Sequence, residues 1–143
     1  MFRAIKIVGT IVSFLVGSIG TLHRMDKQGQ VESTQMVRNI FEKLLKMAGV
    51  TVEVRGYENI PQDRPVLYVG NHRSYFDILV GYTTVPGLMG FVAKKEMEKI
   101  PLLSKWMLNV NCLFLDRNNI KEGLKTILAG IEKVRRGVSV WIF

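Results

Sequence analysis

The stretch CLFLDRNNIKEGLKTILAGIEKVRRGVSVWIF, residues 112–143, decides the fold class. Residues 112–115 are a short, wholly apolar run of strand length. Asp116-Arg117 closes it, and Asn118 or Asn119 can cap a helix by accepting a backbone N–H. Ile120, Leu124, Ile127, Leu128, Ile131 and Val134 then recur at the 3.6-residue period, and Gly137 stops the pattern. Residues 138–143, VSVWIF, read as a second strand. Strand, helix and strand in this order predict an α/β fold with a mixed or mostly parallel sheet flanked by helices.

The rest of the chain extends the alternation. Residues 66–69, VLYV, form an apolar strand of the kind buried in a parallel sheet, and residues 50–55, VTVEVR, alternate like another. Residues 91–93 add a third candidate. Helical patterns fall over residues 75–83, 94–99 and 102–108. Met36, Val37, Ile40, Phe41, Leu44, Leu45 and Ala48 mark one face of an amphipathic helix that Gly49 ends. That face packs either on the domain or in lipid. Residues 23–31, HRMDKQGQV, read as a polar break before it.

The totals bound the function. With 143 residues, 48% of them apolar, the chain makes one ordinary domain and is not a disordered polypeptide. Twenty Lys and Arg against twelve Asp and Glu give +8, a balance that suits an anionic partner such as nucleic acid or a phospholipid surface. No nucleic-acid recognition motif or interleaved aromatic strip accompanies it, so nucleic acid is not expected. Cys112 is the single cysteine, which rules out an intrachain disulfide.

Residues 7–22, IVGTIVSFLVGSIGTL, carry no charge and follow Arg3 and Lys6. As a helix the run is about 24 Å long against roughly 30 Å of hydrocarbon. It reads as a short span, an interfacial anchor, a signal peptide or a core helix, with membrane attachment favoured and the N-terminus cytoplasmic. The expected organisation is a two-helix membrane-anchoring segment over residues 1–48 and an α/β domain over residues 49–143.

Chemistry concentrates in residues 69–77, VGNHRSYFD. Five residues of α-helix turn about 500°, so His72 and Asp77 would stand roughly 140° apart within one helix. They can meet if His72 lies in the turn after the strand and Asp77 in the first turn of a helix. Asp77 would then hold one imidazole nitrogen while the other takes a proton, making His72 a general base. Asn71 or Ser74 capping a helix beside a surface histidine is the plainer alternative. One His and one Asp are too few for a metal site.

The segment Asn71-His72-Arg73-Ser74-Tyr75-Phe76-Asp77 resembles the NHxxxxD motif of the 1-acylglycerol-3-phosphate acyltransferase (PlsC-like) family. The resemblance continues through Gly56-Tyr57-Glu58-Asn59-Ile60-Pro61, Ala93-Lys94-Lys95-Glu96-Met97, Ile100-Pro101 and Phe114-Leu115-Asp116-Arg117. It covers about residues 50–143. It implies transfer of a fatty acyl group from acyl-CoA or acyl-carrier protein to 1-acylglycerol-3-phosphate, at the cytoplasmic face of a membrane, with no cofactor. His72 and Asp77 would be catalytic, and Arg117 would bind the acceptor phosphate, with Lys94 a second candidate. Asn71 and Ser74 would shape the turn. Another acceptor, such as glycerol 3-phosphate or a different lysolipid, and a non-catalytic lipid-surface module are the alternatives. Family members continue after such a last strand into Pro-Glu-Gly-Thr-Arg, so the resemblance also implies a domain lacking its C-terminal part. Asn111-Cys112 departs from the family's glycine and small or apolar residue, which questions the backbone there.

Overall fold

The computed structural model describes residues 17–143. In chain order these form α1 (Ile19–Met25), α2 (Gln30–Met47), a 3-10 turn (Tyr57–Asn59), β1 (Leu67–Val69), α3 (Phe76–Thr84), β2 (Leu88–Lys94), a second 3-10 turn (Lys95–Lys99), α4 (Leu103–Asn109), β3 (Leu113–Leu115), α5 (Ile120–Arg135) and β4 (Val138–Ile142). The strands pair in the order β1-β4-β2-β3, and every pair is parallel. Leu67 lies opposite Val140, Phe91 opposite Trp141, and Lys94 opposite Leu115. All four strands therefore end on one edge of the sheet.

One face carries α1 to α4. Leu22 and Met25 of α1, Val37 of α2, Tyr82 of α3, Met89 and Phe91 of β2 and Trp106 of α4 share one core. Each such buried apolar side chain contributes about 1.5–3 kcal/mol. Polar clamps fix the layer. The Arg38 guanidinium donates to the carbonyls of Tyr82 at 3.1 Å and of Val85 and Gly87 at 2.7 Å each. It thereby caps the negative end of α3. Asp26, just after α1, pairs with Lys105 of α4 at 2.7 Å.

The other face carries α5, and here the pattern misleads. Gly123 and Gly130 of α5 lie against Leu115 and Leu113, and Thr126 donates to the Phe114 carbonyl at 2.9 Å. The small residues thus seat the helix. The stripe Ile120, Leu124, Ile127, Leu128 and Ile131 turns aside and is exposed. Lys133 of α5 is half-buried and donates to Asn111 Oδ1 at 3.1 Å.

Four further expectations are corrected. Residues 50–55 pair with no strand; their side chains are largely exposed, so the alternation has no sheet to join. The β1 strand is an edge strand and α5 does not cover its outer face, leaving Val69 78% exposed. The break before α2 is only residues 26–29, because α1 runs through Met25. The apolar face of α2 packs into the core through Val37, Ile40 and Phe41, so it does not supply the lipid contact weighed for it. Most of the uncharged run 7–22 lies outside the described residues, among which no helix is long and apolar enough to cross a membrane.

Asn111 resolves the doubt at its position. Its φ is +63°, the left-handed region glycine favours and asparagine tolerates. The turn presses its carbonyl onto Gly90, where a Cβ would fall well inside contact distance of that backbone oxygen. Gly90→Ala should therefore lower stability by about 3 kcal/mol. A thermal melt followed by circular dichroism that matches wild type would refute this reading of the contact.

Candidate active site

The β1 ladder runs straight into the loop of interest. Gly70 N–H donates to the Ile142 carbonyl at 3.1 Å, two residues before His72. The chain then turns, and α3 begins at Phe76. Ser74 Oγ accepts the Phe76 N–H at 3.2 Å and so caps the helix. Asp77 sits in the first turn and points back. Its Oδ2 accepts from the N–H of Arg73 at 2.6 Å, from the N–H of Ser74 at 2.8 Å and from His72 Nδ1 at 3.0 Å. The cap and the His-Asp pair are thus two parts of one turn. Asn71 makes no side-chain hydrogen bond among the described residues.

The N–H groups of Ser74 and Arg73, with a smaller share from His72, hold the Asp77 carboxyl below the ordinary carboxylate range. An ionised carboxylate only accepts, so neutral His72 carries its proton on Nδ1 and keeps a lone pair on Nε2. The imidazole is part-exposed at the sheet edge, within reach of a solute. One face of its ring rests on Phe143, with centroids 4.5 Å apart. That contact was not legible in the sequence. It requires β4 beside β1, and no local pattern announces the pairing.

The cationic candidates lie on the same edge. Lys94 ends β2 and is exposed, with no ion-pair partner among the described residues. Arg117 follows β3 by two residues and is likewise exposed and unpaired. Neither of the two acidic side chains nearest it in sequence pairs with it. Asp116 Oδ1 accepts the N–H groups of Asn118 and Asn119 at 2.9 and 3.1 Å, and Glu122 pairs with Lys125 at 2.6 Å. Asn119 in turn caps α5. Three strand spacings separate β1 from β3, roughly 14 Å of backbone. His72 and Arg117 therefore do not touch; they flank the ends of β4 and β2.

Two other reactive groups fall outside this arrangement. Burial pushes the Cys112 thiol up to about 11, which leaves it no thiolate near neutral pH. Among the described residues no three His, Cys, Asp or Glu side chains gather as metal ligands.

Residues 51–143 match the family model described as Acyltransferase. A Saccharomyces cerevisiae 1-acyl-sn-glycerol-3-phosphate acyltransferase is 30% identical over 94% of this chain and 42% of its own. The Salmonella typhimurium enzyme of the same name is 25% identical, over 96% and 56%. The crystal structure of the Thermotoga maritima 1-acyl-sn-glycerophosphate acyltransferase PlsC superposes with a TM-score of 0.70 at 23% identity, over 99% of this chain and 61% of that one. The chain thus spans about half the length of the curated relatives it matches.

The Asp77 contacts carry a pH signature. A carboxyl depressed on folding stabilises the native turn above its unfolded value of about 3.9, and that stabilisation disappears as the pH falls through the folded value. Wild type should therefore exceed Asp77→Asn in denaturant resistance at pH 6 and lose the advantage progressively as the pH falls below about 3.9. A difference that stays constant across urea titrations from pH 6 to pH 2.5 would contradict it.

Proposed function

The chain belongs to the acyltransferase family, and on that premise we propose that it moves a fatty acyl group from acyl-CoA or acyl-carrier protein to 1-acylglycerol-3-phosphate, giving phosphatidic acid. The observation that supports the proposal is the 3.0 Å hydrogen bond between His72 Nδ1 and Asp77 Oδ2, with which Nε2 would be free to act as the base. The names of the yeast and Salmonella relatives support the choice of acceptor.

The step balances without a cofactor or metal. Nε2 takes the proton of the acceptor's free hydroxyl as its oxygen attacks the thioester carbonyl. The carbon–oxygen bond forms, the carbon–sulfur bond breaks, and the departing thiolate takes the proton back from His72. Asp77 keeps the imidazole in the right tautomer and stabilises the imidazolium between the two transfers. Arg117 would grip the acceptor phosphate, to whose oxygens a guanidinium fork is matched. Lys94 adds positive charge on the neighbouring strand.

In this reading the N-terminal run at residues 7–22 holds the protein at the cytoplasmic face of a phospholipid membrane and residues 49–143 carry the chemistry. The uncharged run at residues 7–22, the preceding Arg3 and Lys6 and the +8 balance support it. At a bilayer the acceptor can react without its acyl chain leaving the lipid.

Radiolabelled acyl-CoA offered with 1-acylglycerol-3-phosphate, glycerol 3-phosphate and other lysolipids tests the assignment. His72→Ala in the complete protein should cut turnover by about 10²–10⁴ while leaving the fold intact; normal turnover would sink the mechanism. Arg117→Ala should raise KM for the acceptor more than it lowers kcat. Unchanged KM would remove Arg117 from the phosphate site.

A further inference from the structure

Asp77 grips only one edge of the His72 ring. A single hydrogen bond leaves an imidazole free to swing about its broad χ2 torsion, and a half turn would put a carbon where Nδ1 now sits. The face of the ring is held by something else. Phe143 stacks on it at 4.5 Å with the planes 21° apart, so turning about χ2 would carry the ring edge into the phenyl group. Phe143 is itself well founded. It stacks on the buried Phe91 at 5.5 Å and 12°, and lies 5.6 Å from Trp141, whose indole in turn stacks on Phe91 and on Tyr68. The residue before it, Ile142, accepts the Gly70 N–H that pins the His72 loop. An aromatic column thus runs from the core of the sheet to the face of the imidazole.

We propose that Phe143 is a positioning residue for His72: the wall that keeps the imidazole plane on the Asp77 carboxylate and Nε2 facing outward. Its effect on turnover rests on the reading of His72 as the base. Its effect on the ring does not, and the two are measured separately.

The test uses the complete protein labelled with nitrogen-15. Long-range proton–nitrogen spectra of the His72 ring, assigned by its loss in His72→Ala, are recorded at neutral pH alongside acyl-transfer kinetics. Wild type should show one tautomer, protonated on Nδ1, with ring protons shifted upfield by the phenyl group. Phe143→Leu and Phe143→Met, two variants so that the result does not hang on one fold, should lose the upfield shift and show mixed tautomers. Their kcat should fall about tenfold or more, with KM for the acceptor within about twofold of wild type. Phe143→Tyr, which keeps the ring, should restore all three readouts. A single Nδ1–H tautomer with wild-type kcat in the leucine and methionine variants would overturn the proposal, as would failure of the tyrosine to restore. Mixed tautomers in those variants beside normal turnover by His72→Ala would uphold the positioning role and remove the base from the mechanism.

Discussion

The pairing of β4 with β1 on one side and β2 on the other is the contact on which the remaining structure depends. Without it the sheet falls into β1 alone and the β2–β3 pair. Ser139 shows how closely the junction is fitted, its hydroxyl accepting the Val66 N–H at 3.1 Å just before β1. Trp141 spans the junction with its ring, stacked on Tyr68 of one neighbour and Phe91 of the other. Because every pair is parallel, this single insertion gathers the ends of all four strands on one edge. His72, Lys94, Arg117 and Phe143 all emerge there, where open α/β sheets place their ligands.

Electrostatics on that edge follow a repeated device. Asp77 and Asp116 each spend a carboxylate oxygen on two successive backbone N–H groups of a tight turn. In the first turn the same oxygen also meets an imidazole. In the second the adjacent Arg117 is exposed and makes no ion pair among the described residues.

Much of this was legible in the residues, for identifiable reasons. The strand-turn-helix reading of VGNHRSYFD brought His72 and Asp77 within reach because the apolar run before them placed the turn. The cap at Asn119 and the stops at Gly49 and Gly137, with φ of +69° and +92°, are local chemistry that survives any packing. What failed was everything set by neighbours. Residues 50–55 alternate well and still form no strand, since alternation specifies a partner only where one is present. The α5 stripe has the cleanest period in the chain but is not the seat of the helix, because two glycines and a threonine let the backbone come closer to the sheet than leucines would. The Phe143–His72 stack joins residues 71 positions apart and depends on strand order alone.

The misdirected stripe has a consequence for how the polypeptide behaves as matter. Ile120 is 91% exposed, and Leu124, Ile127, Leu128 and Ile131 continue the apolar surface along α5, with lysines and arginines beside it. Leu67 and Val69 on the uncovered face of β1 add to it. With a net charge of +8 on 143 residues, the polypeptide is an amphiphile. Mutual repulsion keeps copies apart while counterions are few. Added salt shortens that repulsion to about 10 Å at 0.1 M, and oily patches then meet before the charges object. Its colloidal behaviour is therefore expected to run opposite to that of an ordinary salted-in globulin, dispersed by dilute buffer and gathered by brine.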